Sequence, residues 1–466
     1  MIKYKQQIEN ILDSNRLRPI IILFLALGGF YIAYSILGFS LEKILFLALA
    51  GFTILFALVR PFIALCIITL LISKDNFLND LPGLGLSKES ISSLSNYSIV
   101  FGAIIIFVFV AQRILRRTKI FTPKDYILPL GIAFLVIMII SSINSGLTIA
   151  NVQMIRVFIL SLSLYFLVPV IINSPHRLRQ FTWFVIVFGT FTSLVLLLRS
   201  LHGTEYALGA AARPTYIAAG LSLGLLLTIK SAPMRILFIF LLLFNLYAIL
   251  IEAQKRPVVL VMVILIGFLI TKRIRLGSFI IVACTAYLLT FLIPEYTLGR
   301  YQEVFQPSFS GSGRFVIWEN AIEVIKHNPL FGIGPGNLQR AISRPAHNMY
   351  LGTMAEVGIF GFIILLSIII AIIFNFRKSR LILKRCNNSF LFDIAFIWEL
   401  IFYGWLAMWF FTATLPTTRF FWVIIGMSTA IKAIAYAQGN NSFKGRLKPP
   451  QNNSPNPSHL STPDHK

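Results

Sequence analysis

Two side chains fit for chemistry bracket the longest polar excursion of an otherwise apolar chain. Arg314 stands in Ser312-Gly-Arg314-Phe-Val-Ile-Trp318 and His347 in Ala346-His-Asn-Met-Tyr-Leu351, with Asn328-Pro-Leu-Phe-Gly-Ile-Gly-Pro-Gly-Asn337 between them. His347 lies where the loop gives way to a long apolar run. An imidazole at a helix N-terminus meets the positive end of the helix dipole, which disfavours the imidazolium and keeps a neutral base near pH 7. A histidine in such a place is more often structural than catalytic, and only its position at the re-entry point favours chemistry. Arg340 and Arg344 share the loop with Arg314, Arg156 falls inside an apolar run, and Arg213 and the pair Lys255-Arg256 flank two others. Each is open to a bland reading as a headgroup anchor, its charge carried out to the bilayer surface on a long stem. Several arginines converging with few acids nearby instead suit an anion, and a guanidinium grips a phosphate through two parallel hydrogen bonds.

Other chemistries lack their parts. Gly332-x-Gly334-x-Gly336 has neither the preceding strand nor the following Lys-Ser/Thr of a phosphate loop, so it reads as a tight turn. The loop's acids, Glu295, Glu303, Glu319 and Glu323, are scattered and make no hard-cation site; no metal and no cofactor are expected. Cys66 and Cys284 sit inside apolar runs and give neither a disulfide framework nor a ligand pair.

The elements that must position these residues are membrane helices. The chain has 466 residues, 57% of them hydrophobic and 12% charged, with mean hydropathy +0.81. Those values place it outside the soluble globular range and inside that of polytopic membrane proteins. Its net charge of +24 therefore reflects basic loops between spans, not a nucleic-acid surface, and no nucleic-acid partner is expected. Apolar runs fall at about 19–38, 42–59, 61–73, 98–115, 126–143, 153–173, 181–198, 214–229, 235–251, 257–271, 276–293, 350–375, 391–412 and 417–436. This predicts an all-α polytopic membrane protein of about 12–14 transmembrane helices. Long runs without strand alternation exclude an outer-membrane barrel.

Residues 1–18, basic and polar with no cleavage site behind them, read as a cytoplasmic N-terminus. Residues 19–293 form the first part of the membrane domain and 350–437 the last. The basic clusters around Arg116, Arg177, Arg273 and Arg380 fall on alternate loops, which places the 294–349 loop on the extracytoplasmic side. Within it Ser312 reads as an N-cap for a short amphipathic helix with Phe315, Trp318, Ile322 and Ile325 against an apolar surface, ended by Pro329. The 438–466 tail, rich in Asn, Pro and Ser, is expected to be disordered and cytoplasmic.

The three loop stretches, followed by Glu356-x-Gly-x-x-Gly361, resemble the O-antigen ligase and O-antigen polymerase family. The resemblance implies a fold like that of multi-spanning glycosyltransferases. It also implies transfer, in a bacterial inner membrane, of a glycan from an undecaprenyl-diphosphate carrier to a hydroxyl of a glycan, lipid or protein, without metal. Carried over by position, it makes His347 the base and Arg314 and Arg256 the diphosphate contacts, although Lys255-Arg256-Pro257 stands where members often read Ser-Arg-Gly. A competing reading is a secondary transporter or lipid-linked glycan carrier with Arg156, Asp393 and Glu399 as its working groups; discontinuous helices in matching halves would favour it.

Overall fold

A computed structural model describes residues 60–72, 125–201, 213–251, 255–271, 314–411 and 419–446. Among these the chain is helical, with no strand. The helices are α1 Pro61–Ile72, α2 Ile127–Asn144, α3 Ile149–Ile171, α4 Pro175–Leu201, α5 Arg213–Thr228, α6 Ala232–Ile251 and α7 Lys255–Ile270. They continue with α8 Arg314–His327, α9 Leu338–Ala341, α10 Met349–Arg385, α11 Ser389–Met408, a 3₁₀ turn Trp409–Phe411, and α12 Arg419–Arg446.

Side-chain caps set several helix starts. Asp125 Oδ1 accepts the Ile127 N–H, Thr148 and Asn151 form a capping box on α3, and Asn388 accepts the Leu391 N–H at 3.1 Å. Each cap satisfies a backbone donor that has no partner inside its helix.

Two groups of helices pack side by side. α2, α3, α10 and α12 form one, and α4, α5, α6, α7 and α11 the other, with α11 also touching α10 and α12. Small residues let backbones close in: a Cβ on Gly426 would fall 2.6 Å from Val168 Cβ, and one on Gly267 2.3 Å from a Leu400 methyl. Aromatic side chains fill the space between, with Trp398, Trp409 and Trp422 fully buried.

Polar pairs inside the bundle hold the packing in register. Asp125 accepts from Tyr165 (2.7 Å) and Thr429, while Lys432 donates to Asn375 beside them at 2.8 Å. Ser193 of α4 bonds Asn245 of α6 at 2.6 Å and lies 3.2 Å from the Thr215 hydroxyl of α5.

Seven of the apolar runs form helices long and apolar enough to cross a membrane. The runs at 61–73, 214–229 and 257–271 form helices of 12, 16 and 16 residues. A 16-residue helix reaches about 24 Å, short of a hydrocarbon core of roughly 30 Å. The runs at 19–38, 42–59, 98–115 and 276–293 lie outside the described residues.

Two boundaries differ from expectation. The run at 350–375 belongs to a 37-residue helix that extends to Arg385. α12 continues to Arg446, so the start of the tail is helical, not disordered. Gly439 packs against Ile382 of α10, and a helix already anchored by packing propagates at little cost. Residues 447–466 lie outside the described residues.

Candidate functional site

α8 opens at Arg314, which is half-buried, and ends one residue before Asn328-Pro329. Its buried residues are Ile317, Ala321 and Ile325. Ala321 and Ile325, with Leu338, Ala346 and Ala355, make a small core separate from that of the membrane bundle. This corrects the expected apolar face: Phe315 and Ile322 are 69% and 42% exposed. The helix carries two apolar arcs roughly 120° apart at 100° per residue, and spacing alone does not say which one the protein covers. Trp318, at the edge between them, donates its indole N–H to the Ala346 carbonyl at 2.9 Å. That bond ties the helix of Arg314 to the residue before His347.

The glycine-rich stretch is a tight turn, as its spacing indicates, and it is built into a broken helix. Gly332, Gly334 and Gly336 have φ of 70°, 92° and 81°. Gly358 of α10 has φ 69° and ψ −171°, so the helix is interrupted there and leaves backbone groups without helical partners. The turn supplies them. Ile333 and Gly334 N–H groups donate to the Ala355 and Glu356 carbonyls, each at 3.0 Å, and Pro329 O accepts from Ile359 N–H at 2.9 Å. Ser141 of α2 adds a 2.8 Å bond to the Glu356 carbonyl. Non-helical backbone at membrane depth is tolerated when protein satisfies it in this way. The approach leaves no room for side chains: a Cβ on Gly358 would lie 2.1 Å from Leu330 O, and one on Gly332 2.4 Å from the Glu356 carbonyl carbon.

The same turn docks on the α2–α3 corner. Asn151 donates to Pro335 O at 2.9 Å, Asn337 donates to Ile333 O at 2.8 Å, and Asn337 Oδ1 lies 3.1 Å from the Thr148 hydroxyl. Ser141, Thr148 and Asn151 went unnoticed in the sequence. Their only signal is that polar side chains close one apolar run and open the next.

From Asn337 the chain makes the single turn α9 and crosses to α10. Arg340 and Arg344 are exposed, and Ser343 and His347 adopt left-handed backbone, φ 57° and 49°. Asn348 then caps α10, accepting from Tyr350 and Leu351 N–H groups, each at 3.1 Å. His347, half-buried, is therefore the residue immediately before the cap, as the sequence predicts. Glu356 is buried in the half-helix ahead of the break; its Oε1 accepts from the Leu338 N–H at 3.4 Å, and its carboxyl group also meets the backbone of Gly336. Its Oε2 and the Thr353 hydroxyl are buried without a hydrogen-bond partner among the described residues.

Arg314, Arg340, Arg344 and His347 thus belong to one compact module. Arg156 is exposed on α3, two turns beyond the Thr148 cap. Arg213 opens α5 and Lys255-Arg256 open α7. The side-chain bonds that link α4, α5 and α6 fix these helices as alternately directed, so both starts lie at the end of the bundle where the turn docks. The side chains of Lys255 and Arg256 lie outside the described residues. Among the described residues, no cluster of three His, Cys, Asp or Glu side chains is placed to hold a metal ion.

Glu399 is engaged elsewhere. It takes a 2.6 Å ion pair from Arg380 and a 2.7 Å bond from Tyr403, with the guanidinium stacked 5.0 Å from the Phe396 ring. Asp393, half-buried on the same helix, lies nearer its start, away from the docked turn.

No curated protein sequence matches the chain. Residues 217–366 match the family model described as O-antigen ligase. That span takes in α8, the glycine-rich turn, His347 and the break at Gly358. The molecule is therefore a polytopic all-α membrane protein whose residues 217–366 are similar to the O-antigen ligase family.

Proposed function

We propose that the protein moves a glycan from an undecaprenyl-diphosphate carrier to an acceptor hydroxyl at the extracytoplasmic face, and does so without a metal. The single observation that carries this reading is the Trp318–Ala346 bond, which sets His347 beside the helix that begins with Arg314. The transfer needs a base and a cation carried on elements held together, and this bond joins the two that carry them. His347 takes the proton of the acceptor hydroxyl as its oxygen bonds the anomeric carbon, and the bond from that carbon to the carrier phosphate breaks. Negative charge grows on the departing diphosphate. Arg314, with Arg340 and Arg344 along the same loop and Arg156, Arg213, Lys255 and Arg256 at the same end of the bundle, stabilises it.

The test is to incubate purified protein with a carrier-linked glycan and separate acceptors (a lipid, a glycan, a protein) and to identify the product. Formation of a new glycosidic bond with release of the carrier diphosphate is expected. Carrier-linked glycan crossing a vesicle membrane unchanged would mean transport instead. Turnover is also expected to survive exhaustive EDTA treatment, because arginines supply the charge that a metal would otherwise provide. Activity lost to EDTA and restored by Mg²⁺ or Mn²⁺ would overturn that part.

A further inference from the structure

We infer that Glu356 is a positioning residue for this transfer: through one carboxyl oxygen it fixes the loop that carries Arg340, Arg344 and His347. The inference rests on the function proposed above. Glu356 is buried in the half-helix 349–357, where its Oε1 accepts from Leu338 N–H and its carboxyl group also meets the backbone of Gly336. Those two residues are where the glycine-rich turn ends and the loop begins, and ten residues later the same strand of chain delivers His347. Apart from Glu356, the loop is held by burial of Leu338 and Ala346, by its own turn bonds and, at its far end, by the Trp318–Ala346 bond. α9 is four residues long, and Ser343 and His347 both hold left-handed backbone, which L-residues keep only when their surroundings enforce it.

Glu356 is tied at both levels. Its carbonyl accepts from Gly334 and from Ser141, and its side chain accepts from the next residues of the same turn. One residue therefore joins the start of the broken helix, the turn and the loop. Only Oε1 is used in this way, Oε2 having no hydrogen-bond partner among the described residues. An amide, whose carbonyl oxygen can take the place of Oε1, should do the same work.

The experiment compares Glu356→Gln, Glu356→Met and Glu356→Asp in the full-length protein, by glycan transfer and by amide exchange of the 333–344 segment. Glu356→Gln is expected to stay within about threefold of the parent in both. Glu356→Met keeps length and bulk without an acceptor. It should lose on the order of tenfold to a hundredfold in kcat, the scale expected when reacting groups shift by about an ångström. Its 333–344 amides should exchange faster while those of α3 do not. If Glu356→Met does not accumulate in the membrane, Glu356→Asp carries the same expectation at smaller amplitude, its acceptor drawn back by one methylene.

A Met variant with parental transfer and parental exchange overturns the inference. So does a Gln variant as impaired as Met, since a charge and not an acceptor would then be at work. Should the parent transfer no glycan to any acceptor, the function proposed above fails, and the exchange comparison alone decides whether Glu356 fixes the loop.

Discussion

At the residue scale, His347 has two roles that substitution can separate. Its backbone is left-handed, φ 49°, and it directly precedes the cap of α10. Alanine removes the ring and also strains that backbone, whereas asparagine tolerates it well. His347→Asn should therefore accumulate and melt like the parent yet lose on the order of 10²–10⁴-fold in transfer rate, the range for a general base. Retention of most activity would return His347 to a structural role. Arg314 admits a similar test. A headgroup anchor needs only a positive charge, so lysine would serve; a diphosphate clamp needs the planar fork. Arg314→Lys should lose about tenfold to a hundredfold, equivalent to roughly 1.5–3 kcal/mol for a charge-assisted contact. Arg419→Lys, at the start of α12, should be close to parental. Equal behaviour of the two would place the anion elsewhere. His347 and Arg314 could be singled out in the sequence because each is a chemically distinct side chain at the edge of an apolar run. Thr148 and Asn151 could not, because they work by bonding the Asn337 side chain and the Pro335 carbonyl of a turn 189 and 184 residues away.

At the element scale, the feature that sequence reading missed is the break in α10. The apolar run from Tyr350 reads as one span, and hydropathy is blind to backbone dihedrals. Gly358 inside it was visible, but a glycine in an apolar helix is common; its meaning appears only with Leu330 and Phe331 packed where its side chain would be. The glycine-rich turn was legible, since three glycines in five residues leave few alternatives, but what it docks against was not. A pair of substitutions compares a glycine in open space with one built into the break. Gly146 has φ 75° and nothing within 4 Å of an added Cβ, so Gly146→Ala should cost only the left-handed penalty of about 1–2 kcal/mol. Gly358→Ala meets a costlier backbone, φ 69° and ψ −171°, and its Cβ would also fall 2.1 Å from Leu330 O and displace the turn that satisfies the break. Thermal unfolding in detergent should show a clearly larger loss for Gly358→Ala, with transfer abolished. Equal losses would mean that the turn is not held by this contact.

At the scale of the whole molecule, composition and the order of apolar runs were enough to predict an all-α membrane protein, and among the described residues seven runs form helices of spanning length. The direction of insertion rests on charge. The end remote from the docked turn carries Arg177, Arg179, Lys230, Arg235, Arg377, Lys378, Lys384 and Arg385 in the short links after α3, α5 and α10 and the turns beside them. Short loops of that kind are the ones the positive-inside rule counts, which supports the proposal that this end faces the cytoplasm. The same rule should strip lysine and arginine from the opposite face. Several that persist there, among them Arg314, Arg340 and Arg344 in the loop and Arg213, Lys255 and Arg256 at helix starts, run against it, which fits a face that handles an anion. Labelling from outside intact cells tests the arrangement directly. In a cysteine-free background, Gln339→Cys and Ser389→Cys each place a thiol at an exposed position, the first beside Arg340 and the second at the start of α11. Ser379 would be a poor choice for the second site, because its side chain is fully buried. An impermeant maleimide should modify the thiol at 339 and leave that at 389 untouched until the membrane is permeabilised. The reverse pattern would put His347 and its arginines in the cytoplasm, where the acceptor would be a cytoplasmic hydroxyl and the proposed face of transfer would be wrong.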